Sequence, residues 1–214
     1  MNQESVLGGK GFLRFESNPQ QPMLELARSL GELFEAENIA NVQTLVPKMK
    51  IDEQDNTYSG NFGLDVFPFH TDLAHWYVPP RYILLRCVNP AEHVATKLID
   101  SQSILDEQVR DLINRAHFRS RKRLDRKISL LKILHNNLFR WDSLYITPAN
   151  KAGKELKNII DERIHIIKPK EIFLDKCGDS ILVDNWRMLH GRGSINNGSM
   201  HRKIQRVYFK EVRF

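Results

Sequence analysis

Five short runs rich in β-branched and aromatic residues, NVQTLVPKM (41–49), RYILLRCV (81–88), RIHIIKPKEIFL (163–174), DSILVDNW (179–186) and RKIQRVYFKEVRF (202–214), recur from residue 41 to the end of the chain. Branched and ring-bearing side chains fit a pleated, half-buried surface, and runs this short need neighbouring strands to bury their apolar face. Turn signals separate several of them, among them Lys176-Cys177-Gly178-Asp179 and Asn196-Asn197-Gly198. With 214 residues, 41% of them hydrophobic, the chain can bury one sizeable core. We read residues 1–214 as a single, mostly β domain with packed helices, a barrel or jelly roll, with a helical part over about 1–40 and the jelly-roll core over about 41–214.

The helices follow from spacing. Met23, Leu26, Ala27, Leu30, Leu33 and Phe34 recur at helical intervals, and Asn18 and Pro19 before them suit a cap and first turn. A second helix is predicted after Ser103, with Ile104, Leu105, Val109, Leu112, Ile113 and Ala116 on its apolar face, and a third over NKAGKELKNIIDER (150–163). The segment LGGKGF (7–12) lacks the spacing and the following Ser or Thr of a phosphate-binding loop, so it reads as an N-terminal turn. A Gly-x-Ser-x-Gly elbow is absent, which argues against a hydrolase triad.

The net charge of +6 is concentrated in residues 115–132, where eight Lys or Arg face the single Asp125, a local balance of +7 that leaves 6 − 7 = −1 for the rest. Only Phe118 lies within that run, so no stacking platform interleaves with it, and a solvated face is expected rather than a nucleic-acid partner. No stretch approaches the roughly eighteen apolar residues of a membrane span, and the N-terminus lacks a secretion pattern. We therefore expect a soluble, cytoplasmic protein without a membrane partner. Cys87 and Cys177 stand ninety positions apart, without metal or redox spacing, and are expected to be reduced.

Chemistry concentrates in FPFHTDLAHWYVPPRY (67–82). On a strand, residues i and i+2 share a face, so His70 and Asp72 would present an imidazole and a carboxylate to one point. Eight histidines and 26 acids make one such pair unremarkable by chance, and an edge-strand histidine with ordinary partners is the alternative. His190, beside Gly191 at the end of the strand in GDSILVDNWRMLHGRGS (178–194), would add a third ligand from an opposite wall. Two histidines and a carboxylate leave coordination positions open, as in non-haem Fe(II) oxygenases. Zinc competes, but the His-Glu-x-x-His pattern and a general base for a hydrolase are not found.

In HRKIQRVYFKE (201–211), Arg202 and Arg206 would face one way, with Ile204 between them. A planar guanidinium grips a carboxylate in bidentate fashion, which suits the far end of 2-oxoglutarate; surface arginines on an edge strand are the alternative. His75 and Trp76 are open to two readings, core or pocket wall.

Taken together, YSGNFGLDVFPFHTDLAHWYVPPRYILLRCVNP, ATKLID, FRWDSLYITP, GDSILVDNWRMLHGRGS and HRKIQRVYFKE resemble the taurine dioxygenase and clavaminate synthase-like Fe(II)/2-oxoglutarate-dependent oxygenases, over most of the chain after about residue 40. The resemblance implies a double-stranded β-helix, cupin-like, that binds Fe(II), 2-oxoglutarate and O2, with His70, Asp72 and His190 as iron ligands. It further implies Thr96 and Arg202 as the 2-oxoglutarate contacts and places Arg206 where substrate anions are met. Asp142 would take a substrate amine and Trp76 line the pocket. The implied activity is oxidation, most simply hydroxylation, of a C–H bond in a small polar substrate such as an amino acid or derivative, releasing succinate and CO2. Halogenating relatives carry a small residue at the carboxylate position; Asp72 fills it here, which implies an oxygenated product. The alternatives are the same chemistry on a macromolecule docked by residues 115–132, or a non-catalytic binding module. The short chain also raises a homodimer whose partner closes the pocket.

Overall fold

The computed structural model describes residues 3–55, 57–121 and 130–213. Two antiparallel sheets face one another. The larger holds six strands: β1 (Phe12–Glu16), β2 (Gly31–Leu33), β3 (Gln43–Leu45), β5 (Tyr82–Asn89), β8 (Asp179–Asp184) and β10 (Lys203–Val212), and the smaller holds β4 (Phe67–His70), β6 (Thr96–Asp100), β7 (Lys170–Ile172) and β9 (Met188–Arg192). The larger sheet runs β1-β8-β5-β10-β2, with β3 also on β10; the smaller runs β7-β6-β9-β4. This is the jelly roll expected from the sequence.

Alternation along the strands builds the layers. Ile181 and Val183 of β8, Ile204 of β10, Leu98 of β6 and Met188 of β9 meet between the sheets in one apolar cluster. The opposite faces of the larger sheet, through Leu84, Leu182, Val207 and Phe209, pack on helix α2 (Met23–Leu30), whose Leu26 and Ala27 are buried there. Beyond the smaller sheet, Ile99 and Leu189 join the apolar faces of α4 (Glu107–Arg115) and α5 (Lys151–Ile166). Asp106 caps α4 through the Val109 amide, and Asn150 caps α5 through the Gly153 amide. Because Ile204 points inward, its neighbours at i+2 and i+4, Arg206 and Tyr208, point inward too, away from the cluster and into the cavity described below.

Several expectations are corrected. The first ten residues contain helix α1 (Gln3–Lys10), so Leu7 to Lys10 are helical rather than a turn, and the chain reverses at Gly11, at φ 74°. Strand β1 lies inside the part expected to be helical and pairs along β8, Phe12 opposite Val183. Helix α2 starts at Met23, after Pro22, not at Asn18-Pro19; Asn18 instead accepts from the Gln20 amide. It also stops at Leu30, because Gly31–Leu33 pair with β10, and a Cβ on Gly31 would sit 2.2 Å from the Glu211 carbonyl oxygen. In RIHIIKPKEIFL, helix α5 runs to Ile166 and only Lys170–Ile172 are extended; Pro169 disfavours helix at the residue before it. Cys87 is buried and Cys177 exposed, both free. No helix among the described residues is long and apolar enough to cross a membrane. Residues 122–129 of the basic segment lie outside the described residues.

Candidate active site

His70 ends β4 and His190 sits on the adjacent β9, directly across from it in register. The third ligand-type residue is not on the strand. Chain extension stops at His70, and Asp72 lies two residues on, in the loop 71–80. Even so, His70 Nε2 lies 3.4 Å and His190 Nε2 3.6 Å from Asp72 Oδ1, and the three donor atoms fall within 4.8 Å of one another. The His190 side chain thus reaches the point from a neighbouring strand, not from an opposite wall. Gly191 permits this: β9 shifts register against β4 between His190 and Arg192, and a Cβ at Gly191 would lie 2.8 Å from the Phe67 carbonyl oxygen.

The loop holds Asp72 in place from several sides. Its amide donates to Asn185 Oδ1 at 2.7 Å, and Asn185 Nδ2 donates back to the Asp72 carbonyl at 3.1 Å and to Pro80 at 2.8 Å. Asn185, fully buried, sits just past β8, in the turn that leads to His190. Arg140 donates to the carbonyls of Ala74, Trp76 and Tyr77, closing the far part of the loop. The Asp72 carboxylate is divided: Oδ1 faces the imidazoles, while Oδ2 accepts from Arg206 Nη1 at 2.8 Å and from the Tyr208 hydroxyl at 2.9 Å. Burial opposes ionisation of Asp72, but Arg206 and the two histidines outweigh it and hold the carboxyl well below its usual range. Burial, reinforced by the Asp72 charge, keeps the Tyr208 phenol well above its ordinary value and so protonated, a donor to that carboxylate.

His70 Nδ1 lies 2.9 Å from the Pro68 carbonyl, which can only accept, so that nitrogen carries a hydrogen and Nε2 is the one turned toward Asp72. His190 Nδ1 is buried without a hydrogen-bond partner among the described residues. Tyr58, the first residue of helix α3 (Tyr58–Phe62), stacks on the His70 ring, with centroids 4.3 Å apart.

These groups open on a cavity of about 440 Å³ between the sheets. Thr96 lines it from β6, in register with Arg192 of β9. Arg202 lines it from just before β10, and the bulge between Lys203 and Ile204 separates it from the strand, so the simple i, i+4 relation to Arg206 does not hold. Burial lowers the Arg202 guanidinium, and no carboxylate pairs with it among the described residues. Arg192 Nη2 is held by the Gly63 and Asp65 carbonyls; burial and the Arg202 charge push it down to about 10. Asp142 also faces the cavity, its Oδ1 accepting from the Leu144 and Tyr145 amides. Trp76 does not line it; the ring packs edge-on against Phe34. His75 lines it instead.

The site therefore brings together His70, Asp72, His190, Thr96, Arg202, Arg206 and Asp142, and leaves Trp76 aside. Sequence reasoning missed Arg192, Tyr208, Asn185 and Tyr58. The first two were accessible, lying two residues from His190 and Arg206 on their strands. Asn185 and Tyr58 act across the chain and carry no local signal.

No family model and no curated protein matches the sequence. Solved structures share the fold. An asparagine oxygenase in complex with Fe(II), 2S,3S-3-hydroxyasparagine and succinate is 16% identical at a TM-score of 0.70, over 94% of this chain and 74% of its own. The non-heme iron oxygenase OrfP, in complex with Fe and alpha-ketoglutaric acid, is 17% identical at 0.74, over 98% and 78%. PvcB from Pseudomonas aeruginosa is 17% identical at 0.68, over 96% and 78%. At these identities the likeness establishes the fold.

Proposed function

We propose that this chain is an Fe(II)- and 2-oxoglutarate-dependent oxygenase that hydroxylates a small polar substrate, an amino acid or derivative, and is of the taurine dioxygenase-like kind. The observation that carries the reading is the convergence of two imidazole nitrogens and one carboxylate oxygen at the wall of a cavity that also holds an arginine with no carboxylate partner among the described residues.

The donor set fits the metal. The three atoms converge on one point, with Nε2 of His70 and of His190 3.4 and 3.6 Å from Asp72 Oδ1, and two nitrogens with one oxygen suit a ferrous centre that keeps open positions. His70, Asp72 and His190 would hold it. The co-substrate end fits as well. Arg192 and Arg202 are neighbouring half-buried cations facing one cavity, and an anionic carboxylate held by Arg202 and Thr96 would relieve their mutual repulsion. When bound, iron with 2-oxoglutarate supplies the oxidising power for C–H cleavage, by activating O2 with loss of CO2 and formation of succinate.

The chain does the rest by positioning. Tyr208 and Arg206 occupy Oδ2 of Asp72 and leave Oδ1 turned toward the two imidazoles. Asn185 fixes the Asp72 backbone, and the Tyr58 ring covers His70 and excludes water from that face. The solved oxygenases of this fold that carry iron with succinate or a 2-oxo acid support the reading.

The test is succinate release from 2-oxoglutarate by iron-loaded protein, screened across free amino acids and their derivatives. Iron-dependent release stimulated by at least one of them is expected. No release in any condition, with folded protein and bound iron, would overturn the proposal.

A further inference from the structure

The charges facing the cavity sort by partner. Lys48 pairs with Glu53, and Arg206 is committed to Asp72 and Gln43. The oxygenase reading assigns Arg202, with Arg192 beside it, to the co-substrate. Among the described residues that line the cavity, no cation is then left to receive a carboxylate of the substrate. The anions divide differently. Asp72 is paired, but Asp142, 2% exposed, has no Lys or Arg against it among the described residues: the Leu144 and Tyr145 amides donate to Oδ1, and its side-chain neighbours are the Tyr58 hydroxyl and the His70 ring. A buried carboxylate with no Lys or Arg beside it is costly, so a site that retains one gains from a ligand that brings a full positive charge.

The surroundings suit that ligand. Tyr58, beside Asp142, and Tyr145 meet edge-on with centroids 5.7 Å apart, and His75 lies 5.1 Å from Tyr145. All four residues line the same cavity, so aromatic rings, which can attract a cation, share the cavity wall with the Asp142 carboxylate. The segment bearing Asp142 is fixed on the metal side: the Trp141 amide donates to Thr71 Oγ1 at 3.1 Å and the Thr71 amide to the Trp141 carbonyl at 2.8 Å.

We propose that the enzyme holds its substrate by an ammonium or guanidinium group, bound by Asp142 between Tyr58, Tyr145 and His75, and requires no carboxylate on it. This rests on the oxygenase reading and narrows its substrate class to organic cations. Arg206, which the sequence suggests as a partner for the substrate's anion, instead braces the metal carboxylate.

The probes are n-butylammonium, butyramide and butyrate, matched in size and differing in charge. Each is titrated calorimetrically into anaerobic protein loaded with Fe(II) and 2-oxoglutarate, after the visible charge-transfer absorption of the chelate confirms loading. The ammonium ion is expected to bind at least tenfold tighter than the other two. Asp142→Asn, whose amide oxygen can still accept from Leu144 and Tyr145, is expected to abolish that preference with the absorption unchanged. Tyr145→Leu is expected to weaken the ammonium threefold or more. Failure of the absorption to develop in the wild-type protein would overturn the oxygenase reading, and this inference with it. A loaded protein that binds the three probes equally, or an Asp142→Asn variant that keeps the preference, would overturn the cation site alone.

Discussion

Arg206 and Asp72, 134 residues apart, meet at 2.8 Å inside the jelly roll, and the guanidinium takes the carboxylate oxygen that points away from the two histidines. One residue that looks from sequence like a substrate anchor is thereby a brace for a metal ligand. Asp72 is buried and Arg206 largely so, and each charge is stabilised by the other.

Arg206→Ala should therefore destabilise the metal-free protein by about 3–5 kcal/mol, the cost of stranding one partner of a buried pair. Chemical denaturation monitored by circular dichroism checks it. A change under 1 kcal/mol would mean that water already solvates Asp72.

Tyr208→Phe removes one hydrogen bond onto Asp72 Oδ2 and keeps the ring. Asn185→Ala removes the contacts that fix the Asp72 backbone. Each should weaken divalent metal binding by about 10–100-fold while all three ligands remain. Titration with Co(II), followed by its visible spectrum, measures this. Unaltered affinity in both variants would show that Asp72 needs neither support.

How much of this was legible in the sequence depends on the kind of contact. His70, Asp72 and His190 were found by residue type and alternation, yet the alternation argument was wrong in detail. Asp72 sits beyond the strand end, and it reaches Oδ1-first because Asn185 pins the loop, a contact between residues 113 apart that no periodicity encodes. The faces of β8 and β10 were readable because period 2 survives in long, regular strands. Trp76 was misplaced, whereas Arg202 lines the cavity beside Arg206 although it lies outside the strand. A bulge breaks the phase between Arg202 and Arg206, and the 71–80 loop turns the Trp76 ring out onto Phe34 just after bringing His75 to the cavity. Helix α2 was overrun because the pairing of Gly31–Leu33 with β10 overrides a helical apolar pattern.

Arg202→Ala should raise the 2-oxoglutarate concentration needed for half-maximal succinate formation tenfold or more, about 1.4 kcal/mol, and leave metal affinity alone. Steady-state kinetics in 2-oxoglutarate, beside the Co(II) titration, separates the two. An unchanged requirement would move the anion site elsewhere.

The thiols should differ sharply. Burial pushes Cys87 up to about 11, whereas Cys177 is exposed on its turn. At pH 8, iodoacetamide should label Cys177 and spare Cys87 until the protein is unfolded, since the thiolate is the reactive form. Peptide mass spectrometry reads both sites, and equal labelling of the folded protein would contradict the buried position of β5.

The central claim is that His70, Asp72 and His190 form one metal centre. Anaerobic equilibrium titration of metal-free protein with Fe(II), wild type beside His190→Ala and Asp72→Ala, tests it most directly. The account predicts one equivalent bound by the wild type and at least a hundredfold loss of affinity in each variant, with the fold retained by circular dichroism. One equivalent bound with undiminished affinity by both variants would contradict it.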